Sequence, residues 1–182
     1  MNYATIKNCD IANGPGVRVS VFVSGCTRRC KDCFNREAWD FQYGAPFTQE
    51  TIDQILAYLK PDYICGITVL GGEPFEPQNQ PGVLELLRQV RGKYPKKSVW
   101  VFTGYTLDGH ILSKKLGPWP VTEELLSCID VLVDGDFVQD QYDISLRFRG
   151  SSNQRLIDMN KTRAAGRVIL WQDDPIFADH SM

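Results

Sequence analysis

The chain has 182 residues, 43% of them hydrophobic and 23% charged, with 20 basic against 22 acidic side chains and a net charge of −2. At roughly 150 residues per domain, this predicts a single domain over residues 1–182, large enough to fold without a disulfide or a metal. The balanced charge argues against a general nucleic-acid or membrane-surface binder, and no apolar run approaches the roughly 18 residues of a membrane-spanning helix. Met1–Asp10 lacks the basic and apolar regions of a secretory signal, so the cytoplasm and reduced thiols are expected.

In chain order, Val17–Val23 (VRVSVFV) reads as a β-branched strand, and Gly25 and a cysteine-rich loop follow it. Thr48 is placed to cap a helix whose apolar stripe is Ile52, Ile55, Leu56 and Leu59, stopped by Pro61. Ile64–Leu70 (ICGITVL) is a nearly all-apolar run, as expected of a strand buried on both faces. It ends at Gly71-Gly72-Glu73-Pro74. Val83–Val90 predicts a helix, Ser98–Phe102 a third strand, and Leu107–Leu116 a short helix. Thr122 is expected to cap a helix through Cys128, before a fourth strand at Val131–Val133. Residues 136–154 are polar and loop-like, and Arg155–Asp158 and Arg167–Trp171 read as two more strands.

Alternating strands and helices predict an α/β fold with a parallel sheet, in which functional loops gather at the C-terminal ends of the strands. The unusual segments fall there: the cysteine loop, Gly71-Gly72-Glu73-Pro74, Thr103-Gly104 and Asp134-Gly135. One rim is therefore expected to collect them. Thr103 and Asp134 could bond a ligand there, although a plain strand-end role is the simpler reading.

Of six cysteines, Cys26, Cys30 and Cys33 stand at C-x3-C-x2-C, while Cys9, Cys65 and Cys128 are scattered. A tight cluster of reduced thiols suggests a metal centre. Tetrahedral zinc wants a fourth ligand, and no second cysteine or histidine pair stands at matching spacing. A cubane iron–sulfur cluster usually takes four cysteines. Three would leave one iron open, and an open position is where a substrate binds. Cys65, inside an apolar run, reads as a small core residue. Arg28, Arg29 and Lys31 would favour thiolates and offset cluster charge, or dock an acidic electron donor. Two histidines, His110 and His180, make a Ser-His-Asp triad improbable. Gly14-Pro15-Gly16 reads as a turn, not a dinucleotide fingerprint. Asn160-Lys161-Thr162 matches a glycosylation sequon that is incidental without secretion.

The cysteine spacing after a strand, with Gly71-Gly72-Glu73-Pro74 ending the next, resembles the radical S-adenosylmethionine superfamily. Asp10–Val17, Cys33-Phe34-Asn35 and Phe148–Arg155 extend the resemblance, over nearly the full length, to the activating proteins of anaerobic ribonucleoside-triphosphate reductases. The resemblance implies a sheet curled into a partial (β/α) barrel of about six strands. It implies a 4Fe-4S cluster on Cys26, Cys30 and Cys33. It also implies S-adenosylmethionine contacts from Asp32, Cys33, Phe34, Gly71, Gly72 and Glu73. Many members carry an aromatic residue before the third cysteine; here that place is Asp32, and Phe34 follows. Gly71 and Gly72 would let backbone approach the ligand, Gly14–Gly16 would line the site, and Phe34 and Trp39 would shield the cluster from water. The implied reaction is one-electron cleavage of the sulfonium to methionine and a 5′-deoxyadenosyl radical. That radical takes hydrogen from a glycine of the partner reductase, with reduced flavodoxin or a similar protein as electron donor. Two other readings remain open on the residues alone: an activase of a different glycyl-radical enzyme, and a non-catalytic zinc or iron–sulfur interaction module.

Overall fold

The computed structural model describes residues 1–174, so His180 lies outside the described residues. Strands β1 (Asn2–Asp10) and β2 (Val17–Val23) form an antiparallel hairpin, and the short β3 (Ala45–Pro46) pairs antiparallel with β1. The chain continues through α1 (Gln49–Tyr58), β4 (Ile64–Gly71), α2 (Gln80–Lys93) and β5 (Ser98–Phe102). It ends with α3 (Trp119–Ser127), β6 (Val131–Asp134), β7 (Arg155–Asp158) and α4 (Met159–Ala165).

The sheet corrects the expected parallel, curled partial barrel. Seven strands lie in the linear order β3-β1-β2-β4-β5-β6-β7. Only the central pairings β2–β4, β4–β5 and β5–β6 are parallel; β1–β2, β1–β3 and β6–β7 are antiparallel. The cause lies in the connections. A parallel neighbour needs a long crossover, which α1, α2 and α3 supply. Residues 11–16 can only turn the chain back, and residues 135–154 return it without a full helix.

Smaller expectations are corrected too. Arg167–Trp171 forms no strand and contributes one bridge, Leu170 to Ile157. It still runs along β7, with Asp158 N donating to Ile169 O at 2.9 Å and Trp171 N to Leu156 O at 2.8 Å; α4 precedes it, where the Asp158 carboxylate accepts from Lys161 N at 2.9 Å. Leu107–Leu116 tightens into a single 3-10 turn at Ile111–Ser113. Pro118, not Thr122, stands at the start of α3, and the Thr122 hydroxyl donates instead to Gln80 Oε1 at 2.7 Å.

Alternation along the strands separates two faces. Val19, Val21, Val69, Val101 and Leu132 face the helices in the main core. Trp100, Val131 and Val133 face the other way, under Phe148 and Trp171. That second face also buries Arg18, whose guanidinium donates to Thr68, Ser98, Pro15 and Ile67 oxygens. The helices thus pack one face, while loops cover the other and leave room for a cleft at its C-terminal rim.

The start of α1 is a capping box: Thr48 Oγ1 accepts from Thr51 N, and Thr51 Oγ1 accepts from Thr48 N at 3.2 Å. Thr48→Ala is expected to cost about 1 kcal/mol in a urea titration; an unchanged midpoint would contradict the cap's contribution.

Candidate metal and cofactor site

The expected rim forms. Cys26, Cys30 and Cys33 line one cleft together with Gly71-Gly72-Glu73, Thr103-Gly104 and Gly135, the ends of β4, β5 and β6. The cleft has a cavity volume of about 160 Å³ and is open at its mouth.

Backbone bonds seat the cysteine loop. Gly25 N donates to Ala38 O at 2.8 Å, Cys26 N to Trp39 O at 3.2 Å, and Cys33 N to Cys30 O at 3.2 Å. Arg29 and Asp32 take left-handed φ values of 47° and 62°, which fold the segment between the thiols back on itself. Two buried carboxylates then tie this loop to its neighbours. Glu76 Oε1 accepts from Thr27 N at 2.8 Å and Thr27 Oγ1 at 2.6 Å. Glu73 accepts from Phe75 N at 2.9 Å, Thr103 Oγ1 at 2.7 Å and Gly104 N at 2.8 Å. Asn79 Nδ2 adds bonds to the carbonyls of Ser24, Gly25 and Glu73.

These contacts reassign several residues. Glu73 is only 1% exposed and both its oxygens are engaged within the protein, so its carboxylate joins two turns. A Cβ on Gly72 would lie 2.6 Å from Gly25 O, and one on Gly71, at φ +112°, 2.7 Å from Val23 backbone. The glycine pair therefore first admits the protein's own cysteine loop. Thr103 serves Glu73, and Asp134 accepts from Leu107 N at 2.7 Å and Arg155 Nε at 2.9 Å; the plain reading holds for both. Gly14 and Gly16 pack against Arg18, Trp100 and Cys65 rather than in the cleft, though Ala12 and Asn13 line an adjoining groove. Asp32 lines that groove as well, its carboxylate 4.0 Å from Arg36. Trp39 lines the cleft partly buried, whereas Phe34 stands 90% exposed at its edge.

Arg28 favours the Cys30 thiolate, as expected, but its guanidinium is also paired with Asp136, which accepts from Nε at 2.8 Å and from the terminal nitrogen, and it stacks over Tyr105 at 4.5 Å. The same carboxylate accepts from the Cys30 thiol at 3.4 Å. Burial pushes the Cys26 and Cys30 thiols up to about 11, with the nearby carboxylates adding to it. Metal loading must therefore displace protons. Sequence reasoning missed Asp136, which lies 106 residues from Cys30 and carries no local signal.

Among the described residues no three His, Cys, Asp or Glu side chains converge on one metal ion. The other cysteines lie elsewhere: Cys9 and Cys65 are exposed on β1 and β4, and Cys128 is buried at the end of α3. Cys65 is thus not the core residue its apolar neighbours suggest.

The model of a 4Fe-4S single cluster domain matches residues 12–157, which include the cysteine loop and all three further strand ends. Anaerobic ribonucleoside-triphosphate reductase-activating proteins from Escherichia coli (strain K12) and Vibrio cholerae are 44% and 43% identical over 156 residues, 85% of this chain and 96% of theirs. That of Enterobacteria phage T4 is 38% identical over 86% of this chain and 93% of its own. The chain belongs to the anaerobic ribonucleoside-triphosphate reductase-activating protein family. The cysteine loop lies within the matched 4Fe-4S single cluster domain. No helix among the described residues of this activating-protein fold is long and apolar enough to cross a membrane.

Burial raises the Glu73 carboxyl from 4.5 to about 7, despite its three donors. The native state then keeps a proton that the unfolded chain releases. Stability from this group is full below about 4.5 and is lost as the pH rises to about 7. In urea titrations at pH 5 and pH 8, Glu73→Gln is expected to flatten that decline; a slope identical to the wild type would contradict the assignment.

Proposed function

We propose that this protein activates an anaerobic ribonucleoside-triphosphate reductase by removing a hydrogen atom from a glycine of that enzyme, using S-adenosylmethionine at a 4Fe-4S cluster. The observation that carries the reading is a set of three cysteines lining one open cleft whose wall includes no fourth cysteine. In this reading Cys26, Cys30 and Cys33 would hold the cluster, which when bound and reduced would take the ligand's amino-acid end and supply the electron for breaking the sulfonium carbon–sulfur bond.

The chain's own residues bind, orient and exclude water. The Gly71-Gly72 turn offers backbone carbonyls to the ligand's ammonium, while Glu73 holds that turn against Thr103 and Gly104. Leu70, Phe102, Phe137 and Trp39 line the cleft and keep water away from a reactive carbon. Phe34 and the backbone of Asp32 and Cys33 close the cysteine side. Glu76 and Asn79 act through the loop, as positioning residues. Reduced flavodoxin or a similar carrier is the proposed electron donor, and the proposed setting is one domain working in the cytoplasm.

The test is anaerobic. Iron-reconstituted, reduced protein is mixed with S-adenosylmethionine, with and without the reductase, and 5′-deoxyadenosine and the glycyl radical are measured. Both are expected, and Cys30→Ala is expected to abolish both. Cys65→Ala is expected to leave cluster iron and both products intact. A colourless, zinc-only protein, or full activity of Cys30→Ala, would overturn the reading.

A further inference from the structure

The backbone ladder between β6 and β7 ends at the pair Asp134–Arg155. Beyond it, side chains of the segment before β7 continue the contact, one residue after another. Arg155 Nε donates to Asp134 Oδ1 at 2.9 Å, Gln154 Nε2 to Gly135 O at 3.0 Å, and Asn153 Nδ2 to Asp136 O at 2.8 Å. Ser151, fully buried, accepts from Val138 N at 3.2 Å through its hydroxyl. Residues 151–155 thus run antiparallel to 134–138 and hold them with side chains where strand pairing has stopped.

The turn they hold is the wall of the cleft that meets the cysteine loop. Gly135 and Phe137 line the cleft, and the Asp136 carboxylate between them takes Arg28 and the Cys30 thiol. The turn's own backbone contributes little: Gly135 N reaches Tyr105 O at 3.3 Å, and Val138 O accepts from Gln141 N at 3.0 Å. Gln154 is the centre of the clamp, and it lines the cleft as well. While its Nε2 holds Gly135 O, its Oε1 accepts from Gly150 N at 2.9 Å and Ser151 N at 3.2 Å. Gly150 in turn lies flat against Phe137, where a Cβ would come within 3.0 Å of the ring. One amide group therefore sets both Gly135 and the surface on which Phe137 packs.

We infer that Gln154 and Asn153 are positioning residues of the cleft, which hold the Gly135–Phe137 wall at the separation from the cysteine loop that S-adenosylmethionine needs. The inference rests on the proposed function and extends it to the groups that hold the ligand's wall. A site shared between two loops is sensitive to the placement of either: a shift of about 1 Å can cost roughly a hundredfold in rate, and the supporting side chains decide whether that shift occurs.

The test uses two variants and a control. Gln154→Glu keeps the acceptor for Gly150 N and Ser151 N but removes the donor to Gly135 O. Asn153→Ala, at an exposed position, removes the donor to Asp136 O without adding charge. Ser152→Ala is the control, because that hydroxyl bonds Gln141 and not the turn. Amide hydrogen exchange at residues 135–138 is measured in the cluster-free protein. Iron content, and the S-adenosylmethionine concentration that half-saturates the change in the electron paramagnetic resonance spectrum, are measured in the reconstituted, reduced protein. Both variants are expected to keep wild-type iron. Each is expected to speed exchange at 135–138 and to raise the half-saturating concentration by about fivefold or more, as loss of one hydrogen bond implies. Ser152→Ala is expected to stay within about twofold of wild type. Wild-type half-saturation in both variants would overturn the inference and leave the function standing, and loss of iron in both would overturn it too, because the segment would then serve the thiols and not the wall. A wild-type spectrum that does not respond to S-adenosylmethionine would overturn the functional reading, and this inference with it.

Discussion

The cleft depends on how a few carboxylates are buried behind it. Glu73 and Glu76 leave β4 three residues apart and both sink below the surface, at 1% and 4% exposure. A buried carboxylate is costly unless donors surround it. Here the donors come from other loops: Thr27 for Glu76, Thr103 and Gly104 for Glu73. Satisfying these acids therefore fixes the ends of β2, β4 and β5 relative to one another. Asn79, one more turn along, fastens the start of the cysteine loop to the same segment. The fourth strand end joins through Asp136, which takes Arg28 from the loop.

This arrangement fixes the two ends of the cysteine loop unequally. Its entry is bonded on both sides, while the stretch from Arg29 to Cys33 relies on local turns and two left-handed residues. The Cys26 and Cys30 thiols sit where burial and neighbouring acids favour the protonated form. A cluster must displace those protons and the Cys30–Asp136 contact, and the three sulfurs then bind as one set. Leu70 from β4, Phe102 from β5 and Phe137 give the cleft an apolar lining.

Much of this was legible in the sequence because it is local. The cysteine spacing, the strands at Val17–Val23, Ile64–Leu70 and Ser98–Phe102, and the rim at their ends follow from short patterns that tertiary contacts did not override. The β3–β1 edge of the sheet was not legible, whereas the strand at the other edge, Arg155–Asp158, was. β1 alternates weakly and is largely exposed, and its antiparallel pairing is set by a short loop rather than by its own composition. Roles that depend on distant partners were hidden for the same reason. Glu73 resembles a ligand-binding acid until Thr103 and Gly104 are seen to use both oxygens. Cys65 resembles a core thiol until the start of β4 is found open to solvent.

The central claim is that three corners of a cubane are protein-held and the fourth is free for the amino-acid end of a sulfonium nucleoside. Mössbauer spectroscopy of anaerobic protein loaded with ⁵⁷Fe, before and after saturating S-adenosylmethionine, tests it most directly. One iron site in four is predicted to change its parameters on addition while the other three keep theirs. Four equivalent sites that do not respond, or a fourth site occupied by a side chain throughout, would contradict the account.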